Sequence, residues 1–309
     1  MTASLPQLSA HRPFLTDGGL ETTLIFHEGL DLPGFAAFPL VDDGRGRTAL
    51  AAYLRPYLEL ADRVGTGFVL DTPTWRANPD WAGRLGYDEI GLAAVNRRAV
   101  ELAGELAASW PGVPTVVNGV IGPRGDGYAA DSAMSAAAAT AYHHLQAAAF
   151  AEAGAGMLSG LTMTSAAEAT GVARAAADVG LPAVISFTVE TDGRLPSGEA
   201  LGAAIAHVDD DCPVPPAYYM VNCAHPTHFT SQLDSGEAWL TRLRGVRANA
   251  SRLSHAELDE ATTLDRGDIP ELGALYGHLG SVLDLRVVGG CCGTDIEHVT
   301  AIADALITR

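Results

Sequence analysis

Residues 156–189 read GMLSGLTMTSAAEATGVARAAADVGLPAVISFTV. The stretch opens on an apolar run, Gly156–Leu161, crosses an alanine-rich segment, Ser165–Val179, and returns to a second apolar run, Ala183–Val189. Both flanking runs are continuous rather than alternating in polarity, which is how strands covered on both faces read. The segment between them is helical in composition. Strand, helix and strand in this order make a βαβ unit with parallel strands.

The same alternation extends in both directions. Before this unit, strands are predicted at Phe14–Asp17, Gly67–Asp71 and Thr115–Ile121; after it, at Tyr218–Cys223, Gly245–Asn249 and Arg286–Gly290. Helix-like segments include Leu50–Val64, Gly91–Ala108 and Ser135–Ala153. Eight such units predict an α/β fold of the closed (β/α)8 type rather than an open doubly wound sheet. No linker rich in Pro, Ser or Gly divides the chain, and Asp209–Pro216 and Leu264–Glu271 read as loops, so residues 1–309 form one domain. Barrel enzymes work at the C-terminal ends of their strands. The polar residues there are Asp17, Asp71, Thr72, Asn118, Cys223, Asn249, Cys291 and Cys292, which should meet at one mouth.

Composition narrows the chemistry. The chain is 48% hydrophobic and 18% charged, with a formal net charge of -18. So acidic a surface repels phosphate backbones and anionic membranes, which argues against both as partners. The N-terminal residues lack a basic region followed by an apolar one, and no apolar run is long enough to span a bilayer; a soluble cytoplasmic protein is expected. All 19 basic residues are arginine. Without lysine there is neither Schiff-base chemistry nor a P-loop.

Four cysteines, Cys212, Cys223, Cys291 and Cys292, favour metal binding or catalysis over disulfides in a cytosolic chain of this size. The most informative segment is Val287-Val288-Gly289-Gly290-Cys291-Cys292-Gly293-Thr294. Adjacent strand residues point to opposite faces, so both thiols reach one ion only where the backbone bends, and the flanking glycines allow that. A helix should follow from Asp295 to about Leu306, capped by Thr294 or Asp295, its N-terminus lowering the thiol pKa values. Cys223 ends another strand, in Tyr219-Met220-Val221-Asn222-Cys223-Ala224-His225. Three thiolates suit tetrahedral zinc and leave one coordination position for a substrate thiol, which would be deprotonated there. Paired cysteines also occur as small buried hydrophobes or as a vicinal disulfide. His225 and His228 could add a ligand, whereas Cys212 reads as a free thiol.

At these residues the chain resembles the homocysteine S-methyltransferase family of zinc-dependent barrels. Asp17-Gly18-Gly19-Leu20-Glu21-Thr22 is similar to the family's opening motif, Val117-Asn118-Gly119-Val120-Ile121-Gly122-Pro123 to its third strand, and Val184-Ile185-Ser186-Phe187-Thr188 to its fifth. Val221-Asn222-Cys223 and Gly289-Gly290-Cys291-Cys292-Gly293-Thr294 resemble its zinc-ligand motifs. The resemblance covers nearly the whole chain. It implies Cys223, Cys291 and Cys292 as zinc ligands and methyl transfer from a donor such as S-methylmethionine to homocysteine, making methionine. It also implies that Asp17, with the amides of Gly18 and Gly19, grips the acceptor's amino-acid end, with Glu21 and Asn222 beside them. Asp71, Thr72, Ser186, Glu190 and Asn249 are further candidates for substrate contact.

The sequence departs from the family pattern at one place. After the fourth strand the family usually carries a glutamate that pairs with the acceptor's ammonium; here the position is Leu161. A buried ammonium without a partner costs several kcal/mol. Either Glu21 or Glu190 compensates, or the same zinc chemistry serves another thiol, or the barrel binds zinc or a sulfonium without turnover. A zinc hydrolase is disfavoured because all three candidate ligands are sulfur and the first strand has no His-x-His. No cobalamin or folate module is evident, and 17 residues follow Cys292, too few for the C-terminal arm of betaine-using relatives; a small sulfonium donor is therefore expected. Oligomeric state is not encoded in any of these features.

Overall fold

The protein's computed structural model describes residues 5–130 and 134–308. Eight parallel strands follow one another around a closed barrel: β1 Phe14–Leu15, β2 Phe68–Asp71, β3 Thr115–Ile121, β4 Met157–Met163, β5 Ala183–Phe187, β6 Tyr218–Asn222, β7 Leu243–Ala248 and β8 Val287–Gly290. The ring is completed by β8 pairing with β1, Phe14 opposite Val287 and Leu15 opposite Val288. The fold is the (β/α)8 barrel that the alternation predicts. Strand ends differ by a few residues. β1 stops at Leu15 rather than Asp17, and β7 starts at Leu243 rather than Gly245.

Continuous apolar runs are needed because each strand serves two cores. Side chains such as Leu15, Leu70, Leu158, Tyr219 and Val288 point outward and pack under the helices. Their alternating neighbours, among them Phe14, Val69, Met157, Tyr218 and Val287, fill the barrel interior, where Leu5 joins them. Truncating one such buried side chain to alanine typically costs about 2–5 kcal/mol.

The helices begin where short polar side chains satisfy the first free N–H groups. Ser135 caps Ala136–Glu152, and Ser165 caps Ala166–Asp178. The helix expected at Leu50–Val64 starts six residues earlier, at Gly44, because the Asp43 carboxylate accepts from the amides of Arg45 and Gly46. That early turn is not visible as a helix in the glycine-rich sequence. Helix Leu201–Asp211 likewise runs into the stretch expected as the loop Asp209–Pro216, and helix Ile269–Val282 begins inside Leu264–Glu271. No described helix is long and apolar enough to cross a membrane.

Candidate active site

Cys223 follows β6 directly and Cys291 follows β8, so β7 stands between them. Two strand spacings separate their ladders, on the order of 10 Å. The thiols nevertheless meet: the sulfurs of Cys223, Cys291 and Cys292 all lie within 4.8 Å of one another, and Cys223 and Cys292 are 3.6 Å apart.

Two backbone devices bring them together. Cys223 adopts a left-handed conformation at φ 56°. For a non-glycine residue that costs about 1–3 kcal/mol and persists only when the surroundings enforce it. Here the Cys223 carbonyl accepts from His255 Nε2 (2.8 Å), Asn249 Nδ2 (3.0 Å) and the Thr188 hydroxyl (3.3 Å). His255 is in turn held by Glu190 at Nδ1 (2.8 Å). On β8 the vicinal pair sits in a tight turn, with the Thr294 amide donating to the Cys291 carbonyl at 3.1 Å and Gly293 at φ 78°. Gly290 serves close packing rather than bending, since a Cβ there would stand 1.9 Å from the Thr294 hydroxyl oxygen.

Asn222 ties the walls together. Its Oδ1 accepts from the Thr162 amide (2.8 Å) and the Ser186 hydroxyl (2.6 Å), while Nδ2 donates to the Thr162 hydroxyl (2.8 Å) and faces Cys291 Sγ at 3.8 Å. Thr162, directly after Leu161, is a second left-handed residue, at φ 60°. Tyr128 covers the sulfurs from the loop after β3, its hydroxyl 3.3 Å from Cys223 Sγ and 3.7 Å from Cys292 Sγ, and its ring stacks on His255 at 4.2 Å. Burial, reinforced by Cys223 and Cys292, pushes that hydroxyl well above its ordinary pKa and keeps it a donor.

The thiol cluster is short of positive charge. Hydrogen bonds from Cys223 and then Cys292 hold Cys291 well below the usual thiol range, with Arg247 assisting from a distance. Cys223 is pushed up first by its hydrogen bond to Cys291, and Cys292 by those to Cys223 and Cys291. Ionising all three sulfurs at this spacing calls for a cation among them. A tetrahedral zinc with Zn–S bonds of about 2.3 Å places its sulfurs about 3.8 Å apart, close to the spacing found. The donor set fits zinc. The helix Ile296–Leu306 starts as expected, but Asp295 caps it, accepting from the Glu297 amide, so its N-terminus is satisfied internally.

The opposite side of the mouth is organised by a residue absent from the sequence-based set. Arg247, on β7, is buried inside the barrel between two carboxylates: one guanidinium nitrogen lies 2.5 Å from Asp17 Oδ1, and another contacts Asp71 Oδ2. Tyr53 donates to the other oxygen of Asp17 at 3.0 Å, and Asn118 to Asp71 Oδ1 at 2.7 Å. Burial alone would lower the Arg247 pKa, but Asp71 and Asp17 outweigh it and hold it above its ordinary value. With two acids sharing one cation, burial pushes Asp17 up to about 7 against the pull of Arg247, and Asp71 adds to the rise.

The expectation that Asp17, Gly18 and Gly19 present an open grip for an amino acid therefore meets a different arrangement. Asp17 is engaged by Arg247 and Tyr53, and the Gly19 amide donates to the Thr294 carbonyl at 3.0 Å. Asp17 and the Gly19 amide thus already have partners within the protein.

A cavity of about 420 Å³ joins the two sides. Of the expected residues, Asp17, Gly18, Gly19, Glu21, Asp71, Thr72, Asn222 and the three cysteines line it, as does Leu161. Ser186, Glu190 and Asn249 stand behind the wall, bonded to Asn222, His255 and the Cys223 carbonyl. Thr72 lines the edge while accepting from the Val120 amide at 3.0 Å. His225 and His228 turn away to Thr227 and to the Arg252 carbonyl, and Cys212 is buried elsewhere, against the Thr170 carbonyl. Arg247 and Arg76 in the cavity lining, and His255 behind it, are not singled out by the sequence, and Tyr128 belongs to a segment that reads chiefly as a surface turn. Strand parity was a usable signal for Arg247, two residues after Gly245 in the run Gly245-Val246-Arg247. Tyr128 falls in Arg124-Gly125-Asp126-Gly127-Tyr128, a stretch with the composition of a surface turn.

The structure is thus a parallel barrel whose mouth gathers three thiols. The sequence profile of the homocysteine S-methyltransferases matches residues 14–306, and the chain belongs to that family. Among solved structures it is similar to the metallated form of the homocysteine methyltransferase MmuM from Escherichia coli, with 23% identity and a TM-score of 0.75, covering 97% of this chain and 98% of that one. The oxidized form of MmuM aligns with a TM-score of 0.76 and 21% identity, covering 96% and 97%. No curated protein sequence matches the chain.

Proposed function

We propose that this methyltransferase moves a methyl group from a small sulfonium donor, of the S-methylmethionine kind, to the thiol of homocysteine, using zinc held by Cys223, Cys291 and Cys292. The observation that carries the reading is the convergence of three sulfurs from two separated strand ends on one wall of a substrate-sized cavity. Zinc bound there would lower the pKa of an incoming thiol so that it reacts as a thiolate at neutral pH.

The protein's own residues do the rest. Asn222 and Tyr128 place hydrogen-bond donors beside the sulfurs, where they temper the negative charge of the cluster. His255, Asn249 and Thr188 hold Cys223 in its left-handed turn. Apolar residues, including Leu20, Ile25 and Leu161, line the cavity in which donor methyl and acceptor sulfur would meet. A thiol other than homocysteine is the second reading, favoured by Leu161, which lines the cavity without offering an ammonium partner.

Metal analysis of purified protein, combined with a mass-spectrometric assay of S-methylmethionine plus homocysteine and a panel of other thiols, tests the proposal. About one zinc per chain and methionine as product support it. Metal-replete protein that methylates no thiol ends it.

A further inference from the structure

An α-amino-acid acceptor brings an ammonium and a carboxylate into the cavity, yet Asp17 is engaged by Arg247, the Gly19 amide is bonded, and Leu161 is uncharged. Of the other charged residues lining the same cavity, exposed Asp259 and half-exposed Asp126 lie toward solvent and Asp265 bonds Ser251, whereas Glu21 and Arg76 lie deeper and are less engaged. Glu21, in the first turn after β1, has a carboxylate that no side chain among the described residues hydrogen-bonds, and it lies within electrostatic reach of both Cys291 and Arg76. Arg76 is 8% exposed and sits between two indoles, its guanidinium carbon 3.8 Å from the Trp81 ring centre and 4.5 Å from that of Trp75.

The Arg76 guanidinium is only partly satisfied. One nitrogen donates to the Gly125 carbonyl at 3.0 Å, a second reaches half-exposed Asp126 no closer than 3.9 Å, and buried Nε has no partner among the described residues. An unpaired, nine-tenths buried donor on a planar fork suits a carboxylate, which such a fork binds through two parallel hydrogen bonds. The stacked indoles hold that fork in place, so little order is lost on binding. Arg247, the other cation lining the cavity among the described residues, is taken by two acids.

We propose that Glu21 and Arg76 form a clamp for a zwitterionic α-amino-acid thiol, Glu21 receiving its ammonium and Arg76 its carboxylate. The clamp rests on the thiol-acceptor reading above and moves the grip from Asp17 and the position of Leu161 to the first turn of helix Leu20–Phe26 and the loop after β2. A zwitterion compensates both charges at once, whereas a simple mercapto acid leaves Glu21 unpaired and an aminothiol leaves Arg76 unpaired.

The test is calorimetric titration of zinc-loaded protein with three thiols: homocysteine, 4-mercaptobutyric acid, which lacks the ammonium, and 3-aminopropane-1-thiol, which lacks the carboxylate. Wild-type protein should prefer homocysteine to each analogue by about 10- to 100-fold. Glu21→Gln should erase the preference over 4-mercaptobutyric acid and keep that over the aminothiol; Arg76→Gln should do the reverse. Should Arg76→Gln fail to fold between its indoles, Arg76→Lys keeps the charge and should retain part of the preference. Preferences unchanged in these variants overturn the clamp, as does wild-type protein that binds all three thiols equally, and in both cases the thiol-acceptor reading stands. Wild-type protein that binds none of them removes both.

Discussion

The two sides of the barrel mouth balance charge in opposite ways. Beside β6 and β8, three sulfurs crowd within 4.8 Å, and the nearest help for their negative charge is a phenol, an amide and a distant guanidinium. Beside β1, β2 and β7, two carboxylates close directly on Arg247, and tyrosine and asparagine satisfy their remaining oxygens. On the proposed reading the first region takes up an added cation, while the second carries its own. The difference teaches where to look for ligands: a cluster left short of charge recruits them, and a cluster that closes its own circuit builds the wall.

The largest effect that could break this comparison comes from the sulfur side. Cys292→Ser should cut zinc affinity by more than about 100-fold, the span that outer partners alone reach, and abolish methyl transfer. Zinc content after dialysis and product formation check it. On the other side, Arg247→Met should leave Asp17 and Asp71 buried without a cation, destabilising the fold by about 3–5 kcal/mol. Denaturant unfolding should show that loss at pH 8 and partial recovery at pH 5, where Asp17 can protonate; an unchanged midpoint would mean the triad is not a structural unit.

Smaller effects sharpen the contrast. Glu21 is pushed up to about 7 by burial, with Cys291 and Asp17 adding to the rise and Arg76 opposing it. The folded protein therefore holds this proton more tightly than the unfolded chain. The Glu21 contribution to stability is full below the ordinary carboxylate range and is lost as pH climbs to about 7. Homocysteine binding has the opposite sign, because the carboxylate attracts an ammonium only when ionised: affinity should rise through pH 7 in wild type and stay flatter in Glu21→Gln. The smallest expected change is that of Tyr128→Phe, which keeps the stack on His255 but removes a hydroxyl near two sulfurs. A loss of about 0.5–1.5 kcal/mol in zinc affinity, measured by competition with a chelator, is expected.

The same contrast explains what could be read without coordinates. The barrel is legible because strands serving two cores must be apolar throughout, as Ala183–Phe187 is, and the cysteines are legible because thiols at strand ends have few other uses. Arg247 is harder to read, because its meaning depends on parity in a barrel interior and on two acids far away in the chain. Tyr128 and His255 lie in loops, where composition says nothing about direction. Asp17 looks like a ligand-facing carboxylate until its partner, 230 positions later, is known.

The left-handed turn at Cys223 has a consequence for how the enzyme is loaded. Its carbonyl is pinned by three protein donors, so the turn that presents the Cys223 sulfur is held by the fold itself. In small zinc-dependent domains the metal is the staple of the fold. Here chelation should empty the centre while far-ultraviolet circular dichroism stays the same, and re-addition of zinc should restore activity without refolding. Under the zinc reading, folding and metallation would then be separable events.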